Sequence, residues 1–258
     1  MADRPNSSDY VQSLDRGLAV VRAFSADHPR LTLSEVARIT GLTRAAARRF
    51  LLTLQQLGYV GSDDREFYLR PRVLDLGYAY LSTTSFWDLA QPHMEALVDE
   101  LHESSSISVL DGDEIVYVVR VPTKRIMTIA LGVGSRLPAY PTSMGRVLLA
   151  GLSDDEIDAY LVRADLKPLT SRTITDVGKL RSKIADVRDQ GWAIVDQELE
   201  EGVRSVATAI RDTSGATIAA LNVSAHAART SMEQLHQRFV PRLLATAERI
   251  NLDLGRRR

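Results

Sequence analysis

The chain of 258 residues contains no cysteine, so disulfides, thiolate metal sites and cysteine nucleophiles are excluded together. It has no apolar run near the ~20 residues of a membrane-spanning helix and no signal-type apolar core at its start, which predicts a soluble, cytoplasmic protein without membrane contact. Lysine is missing from residues 1–75, where eleven arginines face nine acidic residues. Net charge over the whole chain is −1, so any attraction to a polyanion must come from a local patch. Catalytic signatures are missing as well. The histidines His28, His93, His102, His226 and His236 show no metal-ligand spacing, and no Gly-x-Ser-x-Gly elbow is present. Gly132-Val133-Gly134-Ser135 lacks the third glycine of a dinucleotide loop and leads into loop rather than helix. No cofactor, metal or catalytic residue is therefore expected.

What is present centres on Leu31 to Leu69. Thr32-Leu33-Ser34-Glu35 reads as a capping box, in which Thr and Glu side chains satisfy each other's backbone donors and open a short helix. Thr40-Gly41-Leu42 breaks that pattern as a turn between two crossed helices, and Thr43 caps the next helix. There Ala47, Phe50, Leu51, Leu54 and Leu57 share one side, while Arg44, Ala45, Arg48, Arg49, Gln55 and Gln56 share the other. No acidic residue occurs between Thr43 and Gly58. Arginine can bond guanine bidentately, glutamine adenine, and a small residue can lie on a thymine methyl, all within the major groove. Tyr59-Val60, a polar turn at Ser62-Asp63-Asp64-Arg65, and Glu66-Phe67-Tyr68-Leu69 then predict a hairpin wing. The order is that of a winged helix-turn-helix, with Thr43, Arg44, Ala45, Arg48, Arg49 and Gln55 as the candidate contacts to double-stranded DNA.

Around this stretch, residues 1–9 form a polar arm and Ser13 opens a supporting helix with Leu14, Leu18, Val21 and Phe24 on its buried stripe. Arg70-Pro71-Arg72 starts an apolar linker helix containing Val73, Leu74, Leu76, Tyr78, Tyr80 and Leu81, which suits pairing with a second copy. The polar run Ser82 to Ser85 marks a boundary, so the expected domains are 1–69, a linker at 70–84, and 85–258. In the last, helices are expected at 86–102, 143–150, after the Ser153-Asp154-Asp155-Glu156 box, at 177–189 and from Ser231 to about Leu254. Strands are expected at 107–110, 115–121, 125–131, 192–195, 204–211 and 216–224. This is an α+β domain with an antiparallel sheet. Thr142, Ser143, Asp196, Ser205, Asn222 and Ser224 fall at strand ends and loop tips, where a few polar groups on an apolar frame can make a ligand pocket or merely serve local turns.

Several separate stretches are similar to the IclR family of bacterial transcription regulators along nearly the whole chain. They are Gln12 to Leu18, Leu137-Pro138-Ala139-Tyr140 with Thr142 to Ala150, and Glu200 to Ala207 with Asp212-Thr213-Ser214-Gly215. Leu42 to Leu51 and Ser108 to Gly112 further resemble the subgroup governing protocatechuate, 4-hydroxybenzoate and β-ketoadipate catabolism. The resemblance implies a GAF-like or PAS-like effector domain, dimerisation through the DNA-binding region, and often a dimer of dimers. It also places an effector near Met144-Gly145, Asp196, Ser205 and the strand carrying Asn222 and Ser224. Many members have cysteine at the position of Ser205 and serine at that of Asn222, so this pocket should favour hydrogen bonding. Some relatives bind a metal here, but this chain supplies no ligand set. The expected effector is a small carboxylate, with Arg136 foremost and Arg125, Arg146 and Arg204 nearby as its candidate partners. The expected operator is palindromic. The competing reading is a small-molecule enzyme whose N-terminal helices serve only oligomerisation.

Overall fold

A computed structural model describes residues 9–83, 86–123 and 131–256, and the chain divides into two compact units, Met1–Thr83 and Thr84–Arg258. The first unit contains α1 (Gln12–Arg22), β1 (Leu31–Thr32), α2 (Leu33–Thr40), α3 (Arg44–Gln56), β2 (Val60–Asp63) and β3 (Glu66–Leu69). A 3₁₀ turn, Pro71–Val73, then leads into α4 (Leu74–Thr83). The Thr32 capping box forms as read: Glu35 Oε2 accepts from the Thr32 backbone N–H at 2.7 Å, and the Glu35 N–H donates back to the Thr32 hydroxyl. Gly41 closes α2 in the left-handed conformation, with φ +66°. Val20, Leu31, Val36, Ala47, Leu51 and Val60 form the core beneath the helix-turn-helix. β2 and β3 pair as an antiparallel wing from Val60 opposite Leu69 to Asp63 opposite Glu66. The short β1 was not foreseen; it adds Leu31 opposite Phe67 to the wing's other edge.

The second unit contains α5 (Phe86–Leu101), β4 (Ser104–Asp111), β5 (Glu114–Val121), β6 (Arg136–Pro138), α6 (Ser143–Ala150), α7 (Asp154–Arg163) and α8 (Val177–Gln190). It continues with β7 (Trp192–Asp196), β8 (Val203–Arg211), β9 (Thr217–His226), α9 (Met232–Gln234), a π-helical turn at Leu235–Phe239 and α10 (Val240–Arg256). The strands form one antiparallel sheet in the order β6-β5-β4-β9-β8-β7. α5 and α10 pack on each other and on one face of the sheet, and α6 lies on the other. Every residue of α6 is buried, because the sheet beneath it presents the small side chains Ala193, Ala207, Ala209 and Ala220. Burial on this scale, rather than helix propensity, holds the short helix in place.

Three expectations change. Of the stripe expected to be buried on α1, Phe24 is buried and Val21 half-buried, but Leu14 and Leu18 are exposed. The segment read as loop from Gly132 to Pro138 contributes β6, which pairs Arg136 to Pro138 with Val116 to Glu114. Of the strand expected from Arg125 to Leu131, residues 125–130 lie outside the described residues, and Leu131 is irregular. One detail of β5 matters for the site. Ser108 pairs with Tyr117 and Ile107 with Val119, so Val118 is an unopposed bulge residue. A regular strand would send Tyr117 and Arg120 to opposite faces; the bulge brings both to the α6 face.

Candidate nucleic-acid interface and ligand cavity

The N-terminus of α3 is capped by Thr43, whose hydroxyl accepts from the Ala46 N–H at 3.2 Å. Just beyond the cap, Arg44, Ala45, Arg48 and Arg49 are all exposed, and none of the three guanidiniums has an acidic partner among the described residues. Helix N-terminal charge adds to theirs. Gln55 is placed differently from the expectation. Its amide donates to the Ser62 hydroxyl of the wing at 3.0 Å, and it sits ~16 Å along the helix axis from Arg44. That bond joins the C-terminal end of α3 to the wing, away from the helix N-terminus where Arg44 and Arg48 stand. At the wing tip, Arg30 neutralises Asp63 at 3.3 Å and Glu66 at 3.9 Å, leaving Arg65 exposed and without an acidic partner among the described residues. Arg65 was not among the candidate contacts read from the sequence, although its place in the hairpin turn is visible there.

In the second unit the start of α6 meets the sheet at a closed polar cavity of about 40 Å³. That is room for a few waters, far below the ~300 Å³ at which ligand pockets begin. Thr142 caps α6 by accepting from the Gly145 N–H at 2.9 Å, while the next hydroxyl, Ser143 Oγ, is buried and has no hydrogen-bond partner among the described residues. Met144 lines the cavity and its sulfur accepts from Ser108 Oγ at 3.2 Å. Across the sheet runs a row of polar side chains set by register: Arg120 opposite Ser106, and Ser106 opposite Asn222. Asn222 Oδ1 accepts from the Ser106 N–H and its Nδ2 donates to Ser224 Oγ, both at 3.0 Å. Ser205 stands opposite Ser224 on β8. Arg120 makes one long contact, 3.5 Å to Ser106 Oγ, and is the one charged side chain among the described lining residues. Tyr117 completes that wall, its phenol pushed up to about 12 by burial and thus neutral at physiological pH.

Of the expected effector residues, Met144, Ser205, Asn222 and Ser224 line this cavity together. Gly145 lies beside it as a packing position, because a Cβ there would fall 2.0 Å from the Ala139 carbonyl oxygen. Three others are corrected. Arg136 is exposed on the edge strand, where Glu114 and Asp111 each hold its guanidinium at 2.7 Å, so it does not close over the cavity. Arg204 is bound by Asp196 at 2.6 Å and by the Thr230 carbonyl at 2.7 Å. Asp196 also pairs with Arg172 and faces a separate open cleft of about 550 Å³. Burial opposes the ionisation of Asp196, but the Arg204 and Gln197 hydrogen bonds and the Arg172 charge together keep its carboxyl below the usual range. Arg146 is buried against Glu198, and Arg125 lies outside the described residues. Arg120 was missed because a lone arginine in a strand pattern reads as a solvated position until the bulge at Val118 is known.

A winged helix with an unopposed arginine face, on the same chain as an α+β unit enclosing a polar cavity, defines a ligand-responsive DNA-binding regulator. The IclR helix-turn-helix domain profile matches residues 13–64, and that of the C-terminal domain of bacterial IclR regulators matches residues 78–252. The chain belongs to the IclR family of transcriptional regulators. It is 50% identical over 240 residues to the Pca regulon regulatory protein of Pseudomonas putida, covering 93% of this chain and 82% of the relative. It is 35% identical to the p-hydroxybenzoate hydroxylase transcriptional activator of Acinetobacter baylyi over 249 residues, 95% of this chain and 92% of that one. Among solved structures, one described as a transcriptional regulator from Rhodococcus sp. RHA1 superposes with a TM-score of 0.85 at 58% identity, covering 95% and 98% of the two chains. An IclR homologue from Microbacterium hydrocarbonoxydans, complexed with 4-hydroxybenzoate, superposes with a TM-score of 0.82 at 25% identity over 94% and 98%. The family and its relatives are regulators, so the enzyme reading is dropped. No described helix is long and apolar enough to cross a membrane.

Proposed function

We propose that this regulator acts in the cytoplasm on genes of aromatic catabolism of the β-ketoadipate type, binding a palindromic operator as a homodimer or dimer of dimers and responding to a small carboxylate. Arg44 and Arg48 enter the major groove, with Thr43, Ala45 and Arg49 beside them and Arg65 reaching the flanking backbone. The names of the relatives that govern Pca and p-hydroxybenzoate functions support the effector class. The observation that carries the ligand reading is Arg120, a guanidinium without a carboxylate among the described residues, on one wall of a cavity whose other wall offers the Ser143 hydroxyl, likewise without a partner among them, at a helix N-terminus. A carboxylate would satisfy both, and Asn222, Ser205 and Ser224 would take further oxygens. Calorimetry with protocatechuate, 4-hydroxybenzoate and β-ketoadipate tests this. A charge-assisted hydrogen bond is worth about 1.5–3 kcal/mol, so Arg120→Gln should weaken the preferred ligand about tenfold to a hundredfold. Equal affinity in wild type and variant would remove Arg120 from the site.

The dimer rests on an apolar groove within the first unit. Leu14, Leu18, Val21, Phe50, Leu54, Leu57 and Leu76 line about 400 Å³ of it, and on α4 Leu74 and Tyr78 are 73% and 71% exposed. Apolar surface this continuous marks an interface. Light scattering at micromolar concentration without DNA should give at least a dimer, and Leu14→Asp with Leu76→Asp should give monomer. A wild-type monomer would contradict the assignment.

A further inference from the structure

The closed cavity and the open cleft of the second unit share a wall, and a buried ion pair stands in it. Arg146, on α6, is 3% exposed, and Glu198, in the 197–202 connection between β7 and β8, is 7% exposed. Arg146 Nη2 donates to Glu198 Oε2 at 2.5 Å, and its Nε donates to the Tyr140 carbonyl at 3.1 Å. The Glu198 carboxylate also accepts from the Ile174 N–H at 3.2 Å. Thr170 and Thr173 donate to the backbone carbonyls of Gln197 and Glu198 at 2.7 and 2.6 Å. The next residue, Leu199, lines the closed cavity, whereas Arg146 and Glu198 themselves line the open cleft.

The connection is built to move as one piece. Gln197 at its start has φ +61° and Gly202 at its end φ +81°, and the Gln197 side chain accepts from the Gly202 N–H at 3.0 Å. Its ends are thus tied to each other; its C-terminal end is held by the Ala227 N–H, which donates to the Gly202 carbonyl at 2.7 Å, and the rest of its hold on the body of the unit runs through the Glu198 carboxylate and the Thr170 and Thr173 hydroxyls. A cavity of about 40 Å³ cannot admit an aromatic carboxylate unless a wall moves. The strands β4, β5, β8 and β9 are paired in ladders, interrupted in β5 by the bulge at Val118, and α6 is buried along its length. Among the described lining residues outside strands and helices, Leu131, Pro141, Thr142 and Leu199, Leu199 belongs to the 197–202 loop, the wall that also borders the open cleft through Glu198. A buried ion pair contributes little stability beyond what an apolar pair would supply, yet either charge is strongly unfavourable if left dry and alone. Such a contact parts only when the opening wall lets water reach both groups, which makes the opening all-or-none.

We propose that Arg146 and Glu198 are the latch of the effector cavity, positioning residues that fasten the 197–202 loop over it and part to admit ligand from the open cleft. The ligand half of this inference rests on the cavity being the effector site; the fastening half does not. The test is hydrogen exchange of the full-length, effector-free protein and its Glu198→Gln variant, with Glu198→Asp, which withdraws the charge by one methylene, as the milder change. Amides of 197–203 should exchange at least about tenfold faster in Glu198→Gln and by a smaller factor in Glu198→Asp, with β9 amides such as Leu221 and Val223 unchanged. An unchanged loop, or a uniform rise across the unit, would overturn the latch. Stopped-flow binding of protocatechuate should then show faster association in the loosened variant, and equal association rates would overturn its role in entry. Should neither protein bind protocatechuate, 4-hydroxybenzoate or β-ketoadipate, the effector assignment fails while the exchange pattern still decides the fastening.

Discussion

Replacing both Arg44 and Arg48 by alanine is expected to abolish specific operator binding while leaving the second unit folded and its ligand affinity unchanged. Both side chains stand on the first two turns of α3, exposed and without acidic partners, above a face buried through Ala47 and Leu51. A base-reading arginine contributes about 1–3 kcal/mol of discrimination, so the double variant should lose roughly thirtyfold to ten-thousandfold in affinity for the operator. The single variants separate the roles. Loss of a base contact relaxes specificity at one position, whereas loss of a phosphate contact weakens all sequences alike and flattens the salt dependence by about one unit of slope. Stability should hardly change, because neither side chain packs on the core. Gel-shift titrations at fixed salt decide it: wild-type binding by the double variant would remove α3 as the reading element.

Gly145→Ala is expected to be the most destabilising small substitution in the second unit. The added methyl would lie 2.0 Å from the Ala139 oxygen and 2.5 Å from its carbonyl carbon, and these are backbone atoms that also receive the Thr142 N–H and hydroxyl. No rotamer change relieves that contact, so α6 must lift from the sheet and lose its seat over Ala207 and Ala220. The cost should reach about 3 kcal/mol, which in a unit of this size lowers the melting temperature by roughly 6–12 °C. Because Ser143 and Met144 ride on the same turn, ligand response should disappear as well. Gly77→Ala on α4, where an added Cβ meets nothing within 4 Å, is the control and should be neutral or slightly stabilising. A melting curve for Gly145→Ala that matches wild type would show that α6 can shift at no cost.

What could be read in the sequence was whatever is encoded within a few residues. The boxes at Thr32 and Ser153 and the cap at Thr43 fixed helix starts to within a residue, because each cap is a bond to a backbone N–H three positions on. Ser205, Asn222 and Ser224 could be brought together because hairpin pairing of β8 with β9 follows from one turn at Asp212 to Gly215, whereas Met144, on α6, was placed beside them only by the family resemblance. What failed was long-range. Arg136 looked like a ligand clamp from its loop, but its fate was decided by β6 pairing with β5, which sets it between Glu114 and Asp111. Arg120 lines the cavity instead, through a bulge that shifts the register by one residue and so exchanges the faces on which side chains emerge. The Arg146–Glu198 pair joins residues far apart in sequence, and no local pattern announces it.

The most direct test of the whole account is operator affinity of the wild-type protein at one fixed salt concentration, with and without protocatechuate, 4-hydroxybenzoate and β-ketoadipate. At least one of the three should change that affinity by about fivefold or more, the usual scale of coupling between two sites, and Arg120→Gln protein should bind the same DNA without responding. No change with any of them, together with a response to a neutral or cationic compound, would contradict the reading of Arg120 and Ser143 as a carboxylate site.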